Sequence, residues 1–202
     1  MDLAVMQAVR LKGMATPDVV AAATGRSDAD AAEALAALAA AGDVQERAGR
    51  FRVTREGRDR LDAELAQERQ GVDAGTVKSL YEEFTPFNTR LKEIVHRWQM
   101  RDGDQPNDHS DSAYDQGVLS ELYALDEDLK SLFSRIAGLV PRLAPYPGRF
   151  ASALEKVKAG QHEWLLKPLA DSYHTVWFEL HEDLIGLAGL SRVQEAAEGR
   201  AE

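Results

Sequence analysis

The stretch RSDADAAEALAALAAAGDV, Arg26 to Val44, decides how the first third of the chain folds. Ser27 followed by Asp30 is typical of a helix N-terminus, because a serine oxygen can accept a backbone N–H that has no partner within the helix. Leu35 and Leu38 point inward with neighbouring alanines, and Gly42 is suited to ending the helix. The stretch therefore predicts a helix that packs one apolar face into a core.

The residues that follow this helix predict a hairpin and another helix. VQERAGRFRVT, residues 44–54, consists of two short alternating runs around Ala48-Gly49-Arg50, a pattern that predicts a β-hairpin. Thr54 is then expected to cap a helix with the sequence REGRDRLDAELAQERQ.

The residues before it predict two further helices. Apolar residues from Leu3 to Leu11 fit a helical face that ends at Gly13. Thr16-Pro17-Asp18 is typical of a helix start, with Thr16 as N-cap and Pro17 in the first turn, and VVAAAT continues to Gly25. The predicted order is helix, helix, helix, hairpin, helix.

This order and these residues resemble the winged helix-turn-helix of MarR-like bacterial transcription regulators. TPDVVAAATG matches the first helix of the pair, AALAAAGDV the end of the second, ERAGRFRVT the wing, and TREGRDRL the segment after it. The resemblance covers about residues 3–69. It implies a DNA-binding regulator, although winged helices also serve as protein-interaction modules.

The negative charge of the chain is unevenly distributed. Its 24 basic and 34 acidic residues give a formal net charge of −10, which disfavours nucleic-acid binding because affinity for phosphate comes largely from Lys and Arg. Residues 1–70 carry −2 and residues 71–202 carry −8. Within residues 44–60, six arginines against three acidic residues give +3. Contact with double-stranded DNA is therefore expected in this basic segment.

The candidate DNA contacts follow from this distribution. In a winged helix the N-terminal half of the third helix enters the major groove. Here that half is acidic or small and has no Arg, Lys, Asn or Gln for base contacts, so we expect binding mainly through the wing and through DNA shape. The alternative is that the arginines form a solvated face paired with acidic neighbours, Glu46, Glu56 and Asp59. The candidate DNA-binding residues are Arg26, Ser27, Arg47, Arg50, Arg52 and Arg55.

The second part of the chain predicts long helices. After a junction at residues 70–75, apolar residues at helical spacing predict a helix from Thr76 to Arg101, which Pro86 is expected to bend or restart. RDGDQPNDHSDS then predicts a polar loop, and a second helix is expected from about Ser112 to Val140. PYPGR predicts a turn, ASALEKVKAG a short helix, and HEWLLKPLADSYHTVWFELHEDLIGLAGL one long helix or one interrupted at Pro168.

The predicted fold class is therefore mainly α. Residues 1–70 form a winged helix-turn-helix domain with a small β-hairpin wing, and residues 76–202 form an all-helical domain for dimerisation or effector binding. No strand pattern follows residue 71. Because regulators of this kind match two half-sites, we expect a homodimer.

Two segments of the helical part carry chemistry-bearing side chains. NDHSDSAYD, residues 107–115, places His109 among aspartates beside Tyr114, and DSYHTVWFELHEDLI, residues 171–185, places Asp171, His174, Phe178 and His181 on one helical face. Such polar groups are costly to bury unless they are hydrogen-bonded or bind a ligand or metal.

Three interpretations of these segments stay open. The histidines are satisfied core or interface residues with the Asp-rich loop as a helix cap, or they line a small-molecule effector pocket, or they hold a divalent metal ion. The candidate ligand-binding residues are His109, Tyr114, Tyr173, His174, Trp177 and His181. The metal candidates are His174, His181, Asp108 and Asp171.

The helical part resembles a domain of predicted actinobacterial regulators through the same two segments. Sequences of this kind are also similar to some found beside or joined to phosphoenolpyruvate-utilising enzymes. The layout resembles that of GntR-type regulators with metal-binding helical domains, but the Asp-x-x-His spacing departs from their ligand pattern, so their metal residues are not carried over.

Taken together, these features favour a cytoplasmic transcription regulator. The alternative is a winged-helix adaptor that binds a protein, such as a phosphoenolpyruvate-utilising or other metabolic enzyme. We expect no catalytic activity, since the sequence has no nucleophile elbow, Walker loop or dinucleotide fingerprint; an enzyme acting through His174 and His181 is a third alternative. The absence of cysteine excludes disulfides and thiolate zinc sites, and we expect neither secretion nor membrane insertion.

Overall fold

Three short helices and a hairpin form the beginning of the chain in the computed structural model, which describes residues 1–101 and 105–197. The helices are α1 (Leu3–Lys12), α2 (Pro17–Thr24) and α3 (Asp28–Ala40). Strands β1 (Val44–Arg47) and β2 (Arg50–Val53) pair in antiparallel fashion, and α4 (Arg55–Gln70) follows. The predicted order is confirmed, with the turn at Ala48-Gly49, since Arg47 pairs with Arg50.

The ends of these helices are fixed by local hydrogen bonds. The Ser27 hydroxyl accepts the Asp30 N–H at 3.1 Å, and the Thr54 hydroxyl accepts the Gly57 N–H at 2.9 Å. Thr16 occupies the predicted N-cap position of α2, although its side chain makes no capping hydrogen bond. The capping predictions for Ser27 and Thr54 are therefore confirmed.

Long helices form the rest of the described chain. They are α5 (Ala74–Gln99), α6 (Ser112–Ala137), α7 (Tyr146–Lys158), α8 (Tyr173–Leu187) and α9 (Arg192–Ala197), with 3₁₀ turns at Pro141–Leu143 and His162–Leu165. The fold is mainly helical, as predicted.

Several predicted features of this part are wrong. Strands β3 (Met100–Arg101) and β4 (Gln105–Pro106) pair in antiparallel fashion, because the backbone extends directly after α5. Pro86 does not restart the helix, since it lies inside the continuous helix α5. Of PYPGR, the residues after Pro145 belong to α7, where Tyr146 and Phe150 are buried in the core. α6 ends at Ala137 rather than Val140. For the last segment, the alternative of an interruption at Pro168 is confirmed: residues 166–172 are non-helical and α8 follows them.

Parts of two predictions lie outside the described residues. The predicted polar loop includes residues 102–104, and the predicted helical domain includes residues 198–202.

The buried hydrophobic residues form two clusters. One lies among α1 to α4 and the hairpin and includes Met6, Leu35 and Leu61. The other joins α5 to α8 and includes Phe84, Phe150 and Trp177. The two clusters meet where α4 packs on α8 and α2 on α7, and polar side chains of α1 cross that boundary.

Candidate functional site

The first candidate site is the arginine-rich hairpin. Val44 and Val53 form the pair nearest the core and are buried, whereas Arg47, Arg50 and Arg52 are exposed. Ala48 and Gly49 both have positive φ angles, 53° and 74°, as a two-residue hairpin turn of the right-handed twist requires. The Gly49 N–H donates to Glu46 Oε1 at 2.6 Å. The hairpin thus presents its arginines to solvent at a tight, defined turn.

The hairpin is anchored to the helices by a third extended segment. Ala15, between α1 and α2, exchanges two backbone hydrogen bonds with Phe51, at 3.0 and 2.8 Å. Thr54 donates to the Gly42 carbonyl at 2.7 Å and so ties the end of the hairpin to the end of α3. The arginines therefore stand on a rigid support rather than on a free loop.

The guanidinium groups of this surface have no acidic partner. Within residues 1–101 and 105–197, no ion pair or hydrogen bond engages the side chains of Arg47, Arg50, Arg52, Arg55 or Arg58. The alternative of a solvated face agrees with the exposure of these arginines, but the pairing expected with Glu46, Glu56 and Asp59 is not found among the described residues, and Glu46 binds the hairpin turn instead. Arg60 differs, since it pairs with the buried Asp43.

A surface cleft beside the hairpin gathers four arginines. Arg10, Arg52, Arg55 and Arg58 line a space of about 620 Å³ together with Thr54 and one carboxylate, that of Asp59. Arg10 pairs with Asp62 at 2.8 Å, and the other three are unpaired within the described chain. Sequence reasoning missed Arg10 because it lies on α1, far from the hairpin in sequence; the packing of α1 against β2 and α4 brings it here.

The other two predicted DNA-binding residues are already engaged. Arg26 donates through both guanidinium nitrogens to the Asp2 carboxylate, with the Nη2–Oδ1 distance 3.0 Å. The Ser27 hydroxyl accepts from the Asp30 backbone and donates to its carboxylate at 2.6 Å. The outward face of α3 consists of exposed alanines and carboxylates, including Asp28, Ala32 and Glu33.

The six candidate ligand residues separate into three places. His109 Nδ1 lies 3.0 Å from Asp115 Oδ2, and Asn107 donates to the same carboxylate at 2.9 Å. The His109 ring packs on Trp98 with centroids 4.5 Å apart, and its φ of 58° is a left-handed conformation, held by this network. Tyr114 lies nearby and donates to the Arg97 carbonyl at 3.1 Å.

Tyr173 lies in the core instead. It is fully buried and donates to Asp126 at 3.0 Å. Burial raises the pKa of the Asp126 carboxyl, and the hydrogen bond from Tyr173 opposes that shift. This pair satisfies two buried polar groups, which is a structural role.

The remaining three candidates share a small cavity. His174, Trp177 and His181 line a space of about 50 Å³ between α5 and α8. Trp177 Nε1 donates to Asn88 Oδ1 at 2.8 Å, which closes one wall. The sequence prediction of a shared face is confirmed for His174, Phe178 and His181 but not for Asp171, which precedes the helix.

His181 is held in its neutral form. Tyr81 donates its hydroxyl proton to Glu195 Oε2, and its oxygen lies 3.2 Å from His181 Nε2. Because a hydroxyl has one proton, this arrangement places a proton on Nε2. Burial and the positive charges of Arg192 and Lys92 lower the pKa of His181 to about 4.

The metal candidates are not brought together. Asp171 pairs with Lys12 and Arg149, and Asp108 accepts from Ser110 at the start of a loop, whereas His174 and His181 lie on α8. Across residues 1–101 and 105–197, no group of three or more His, Asp or Glu could hold a metal ion. The two aspartates and the pair of histidines, which are far apart in the sequence, therefore do not form one metal site.

A polar cluster at the boundary of the two cores was missed by sequence reasoning. Asp183 of α8 accepts from Gln7 of α1 and from Tyr146 of α7, both at 2.7 Å, and lies 2.6 Å from Arg142. Beside it, Glu179 lies 2.7 Å from Lys12. These groups come from four elements, so no sequence motif could have indicated the cluster. A cavity of about 170 Å³ lies against it.

Comparison with family models, curated proteins and solved structures found no match. Among the described residues, no helix has the length and apolar character needed to span a membrane. The fold and site therefore define a mainly helical protein with an anchored, unpaired arginine surface.

Proposed function

We propose that this protein is a DNA-binding transcription regulator that grips the DNA backbone through the hairpin and the start of α4. The observation that carries the proposal is the set of five exposed, unpaired guanidinium groups on a chain of net charge −10. In a strongly acidic protein, arginines without acidic partners form a local surface to which an anion can bind.

The geometry of this surface suits a nucleic acid more than a small anion. The arginines extend from the hairpin turn to the first turns of α4 and into the cleft that Arg10 shares. Arginine forks match phosphate oxygens, and a wing of this kind can follow a backbone or enter a minor groove. The order of three helices, hairpin and helix supports a winged helix-turn-helix reading of residues 1–70.

The acidic face of α3 supports a contact mode with little direct base readout. Carboxylates in the first turn stabilise the helix because they interact favourably with its dipole. They also repel phosphates and occupy the helix N-terminus, where an anion would otherwise bind. Specificity would then arise from DNA shape. The helical domain is proposed to dimerise, bind an effector, or both.

The test is a titration of a labelled duplex from the DNA upstream of its own gene, followed by fluorescence anisotropy at several salt concentrations. Replacing Arg47, Arg50 and Arg52 together by Ala should weaken binding at least about tenfold and reduce the salt slope by about 2.7, because each phosphate contact contributes about 0.9. Circular dichroism checks that the fold persists.

The matched control removes three other arginines. Arg135 is exposed, Arg90 and Arg97 are half-buried, and all three pair with surface carboxylates of the helical domain. Replacing these three by Ala changes the net charge equally and should leave the salt slope unchanged. Equal losses of DNA affinity in both triple variants, or no salt-dependent DNA binding by the wild type, would reject the proposal that the protein is a DNA-binding regulator.

The outward face of α3 favours a second candidate function, that of a protein-binding adaptor. Its exposed alanines and carboxylates, among them Ala32 and Glu33, form a surface suited to a basic partner protein. On this reading the hairpin substitutions leave the biological activity intact, whereas Ala32→Arg with Glu33→Arg abolishes it. If the protein is a DNA-binding regulator, the hairpin substitutions should instead have the larger effect on its activity and the α3 substitutions the smaller one.

A further inference from the structure

The cleft beside the hairpin is the concave part of the arginine surface. It encloses about 620 Å³, and small-molecule sites generally measure about 300–1,000 Å³. Arg47 and Arg50, which flank the hairpin turn, do not line it. The cleft therefore offers a small molecule a space that the open hairpin turn does not.

Three different elements of the fold supply the guanidinium groups of this cleft. Arg52 is on β2 and Arg10 is in the last turn of α1, whereas Arg55 and Arg58 are in the first turns of α4. Arg55 and Arg58 are three residues apart, so their side chains extend from the same face of the helix. A ligand in the cleft therefore meets cations from the hairpin and from two helices.

The cleft has an excess of positive charge. Apart from Arg10, its arginines have no ion pair within residues 1–101 and 105–197. The one carboxylate that lines the cleft is that of Asp59, which is also unpaired in this part of the chain. Three unpaired arginines against one carboxylate leave an excess of two positive charges. A ligand that balances this excess must carry at least two negative charges.

Linked phosphate groups match this arrangement. A guanidinium group can donate two parallel N–H bonds to the oxygens of one phosphate. When two or three phosphates are joined, binding of the first holds the others close to the remaining arginines, so the whole compound binds more tightly than a single phosphate. We propose that the cleft is a binding site for a small compound with two or three linked phosphate groups.

A regulatory consequence rests on the proposed DNA-binding function. Arg52 and Arg55 belong both to the cleft and to the arginine surface proposed to grip the DNA backbone. A bound polyphosphate occupies the N–H donors that a DNA phosphate needs, so the two compete. By linkage, the compound lowers the affinity for DNA by the same factor by which DNA lowers the affinity for the compound.

The experiment titrates the full chain with inorganic triphosphate, diphosphate and orthophosphate in metal-free buffer of constant ionic strength. Isothermal titration calorimetry gives each affinity. We expect triphosphate to bind at least about tenfold more tightly than orthophosphate, with diphosphate between them. Equal affinities, or no binding of triphosphate, would overturn the site.

Two double variants with the same change in charge locate the binding. Arg55→Gln with Arg58→Gln removes two guanidinium groups of the cleft and should weaken triphosphate binding at least about tenfold. Arg47→Gln with Arg50→Gln removes two exposed, unpaired arginines outside the cleft and should weaken it less than about twofold. Circular dichroism checks that both variants fold. Equal losses would show attraction to the basic surface in general and reject the cleft.

Asp59 allows a change in the opposite direction. Asp59→Asn removes the carboxylate of the cleft and should strengthen triphosphate binding about threefold. Asp28→Asn is the matched control, because Asp28 is equally exposed but does not line the cleft. Unchanged or weaker binding in Asp59→Asn would contradict a ligand held by the charge of the cleft.

A DNA measurement separates this site from the proposed function. Saturating triphosphate should weaken the DNA affinity of the wild type, measured by anisotropy, at least about threefold relative to sulfate at equal ionic strength. Triphosphate binding with unchanged DNA affinity rejects the competition. A wild type that binds triphosphate but no DNA rejects the proposed function and supports the site, whereas one that binds DNA but no triphosphate rejects the site alone.

Discussion

Arg26 is joined through two guanidinium nitrogens to Asp2, the residue that caps α1. The pair links the start of the first helix to the residue just before the Ser27 cap of α3. The pair therefore engages the basic side chain that immediately precedes the N-cap of α3. The same carboxylate also accepts the Val5 N–H at 3.2 Å.

Releasing Arg26 should strengthen DNA binding if the regulator proposal is right. Asp2→Asn removes the negative partner but keeps the helix cap, since Asn caps as well as Asp. We expect the DNA affinity at low salt to rise up to about tenfold and the salt slope to steepen by about one, because one further phosphate contact forms.

Two controls accompany this variant in the anisotropy measurement. Asp128→Asn removes an equal charge from the exposed pair with Arg90 and should have no effect. Adding Arg26→Ala to Asp2→Asn should return the affinity to the wild-type value. A gain that survives in the double variant would show that Arg26 is not the source.

Removing the Asp171 carboxylate should destabilise the protein strongly. Asp171 accepts from Arg149 at 2.9 and 3.0 Å and also pairs with Lys12, and these cations are largely buried. Asp171→Asn should reduce the free energy of unfolding by about 3 kcal/mol, because it leaves a buried positive charge poorly compensated. Urea unfolding measures this change, and the exposed Asp128→Asn should cost less than about 1 kcal/mol.

The Asp171 carboxylate should also cause the folded protein to lose stability at acidic pH. Burial opposes ionisation of Asp171, but Arg149 and Lys12 outweigh it and lower the pKa below the ordinary value. The folded state therefore binds its proton at lower pH than the unfolded state, and the stabilisation present above about pH 4 is lost as pH falls through the folded pKa. Asp171→Asn should flatten the stability profile in that range.

His181 should weaken the fold at mildly acidic pH. Burial lowers its pKa to about 4, so the unfolded state takes up a proton near pH 6.5 while the folded state does not. From pH 7.5 to 5 the wild type should lose about 2 kcal/mol more unfolding free energy than His181→Gln. Urea unfolding at the two pH values provides the comparison, and parallel losses would contradict a buried neutral imidazole.

Replacing each of two glycines by alanine should change the stability of the protein in opposite directions. A Cβ at Gly57 would lie 2.0 Å from the Asp43 carbonyl oxygen, where hairpin and α4 meet, so Gly57→Ala should cost about 3 kcal/mol. A Cβ at Gly117, on the exposed side of α6, would meet nothing within 4 Å. Gly117→Ala should stabilise by about 0.5 to 1 kcal/mol, because glycine disfavours helix interiors. Thermal unfolding distinguishes them.

Much of the local structure was predictable from short-range patterns. The Ser27 and Thr54 caps, the Ala48-Gly49 turn and the apolar stripes of α5 and α6 each depend on residues a few positions apart. Of the two expectations for Pro86, the restart of the helix is wrong, because the residues around it that pack into the core, such as Phe84 and Leu91, keep α5 continuous despite the missing N–H.

The candidate site was predictable only where it is local in sequence. The hairpin arginines follow from their alternation in residues 44–54, but Arg10 joins them through packing alone. His109 and His181, grouped by residue type, belong to different networks with Asp115 and Tyr81.

The sequence by itself determined where helices begin, where the hairpin turns and which faces are apolar, because capping and periodicity act within a few residues. The tertiary structure alone decided that Gln7 meets Asp183, that Lys12 meets Asp171 and that Arg26 is bound to Asp2. These partners are set by how whole helices pack to bury their apolar faces, a global balance that no short stretch of residues contains.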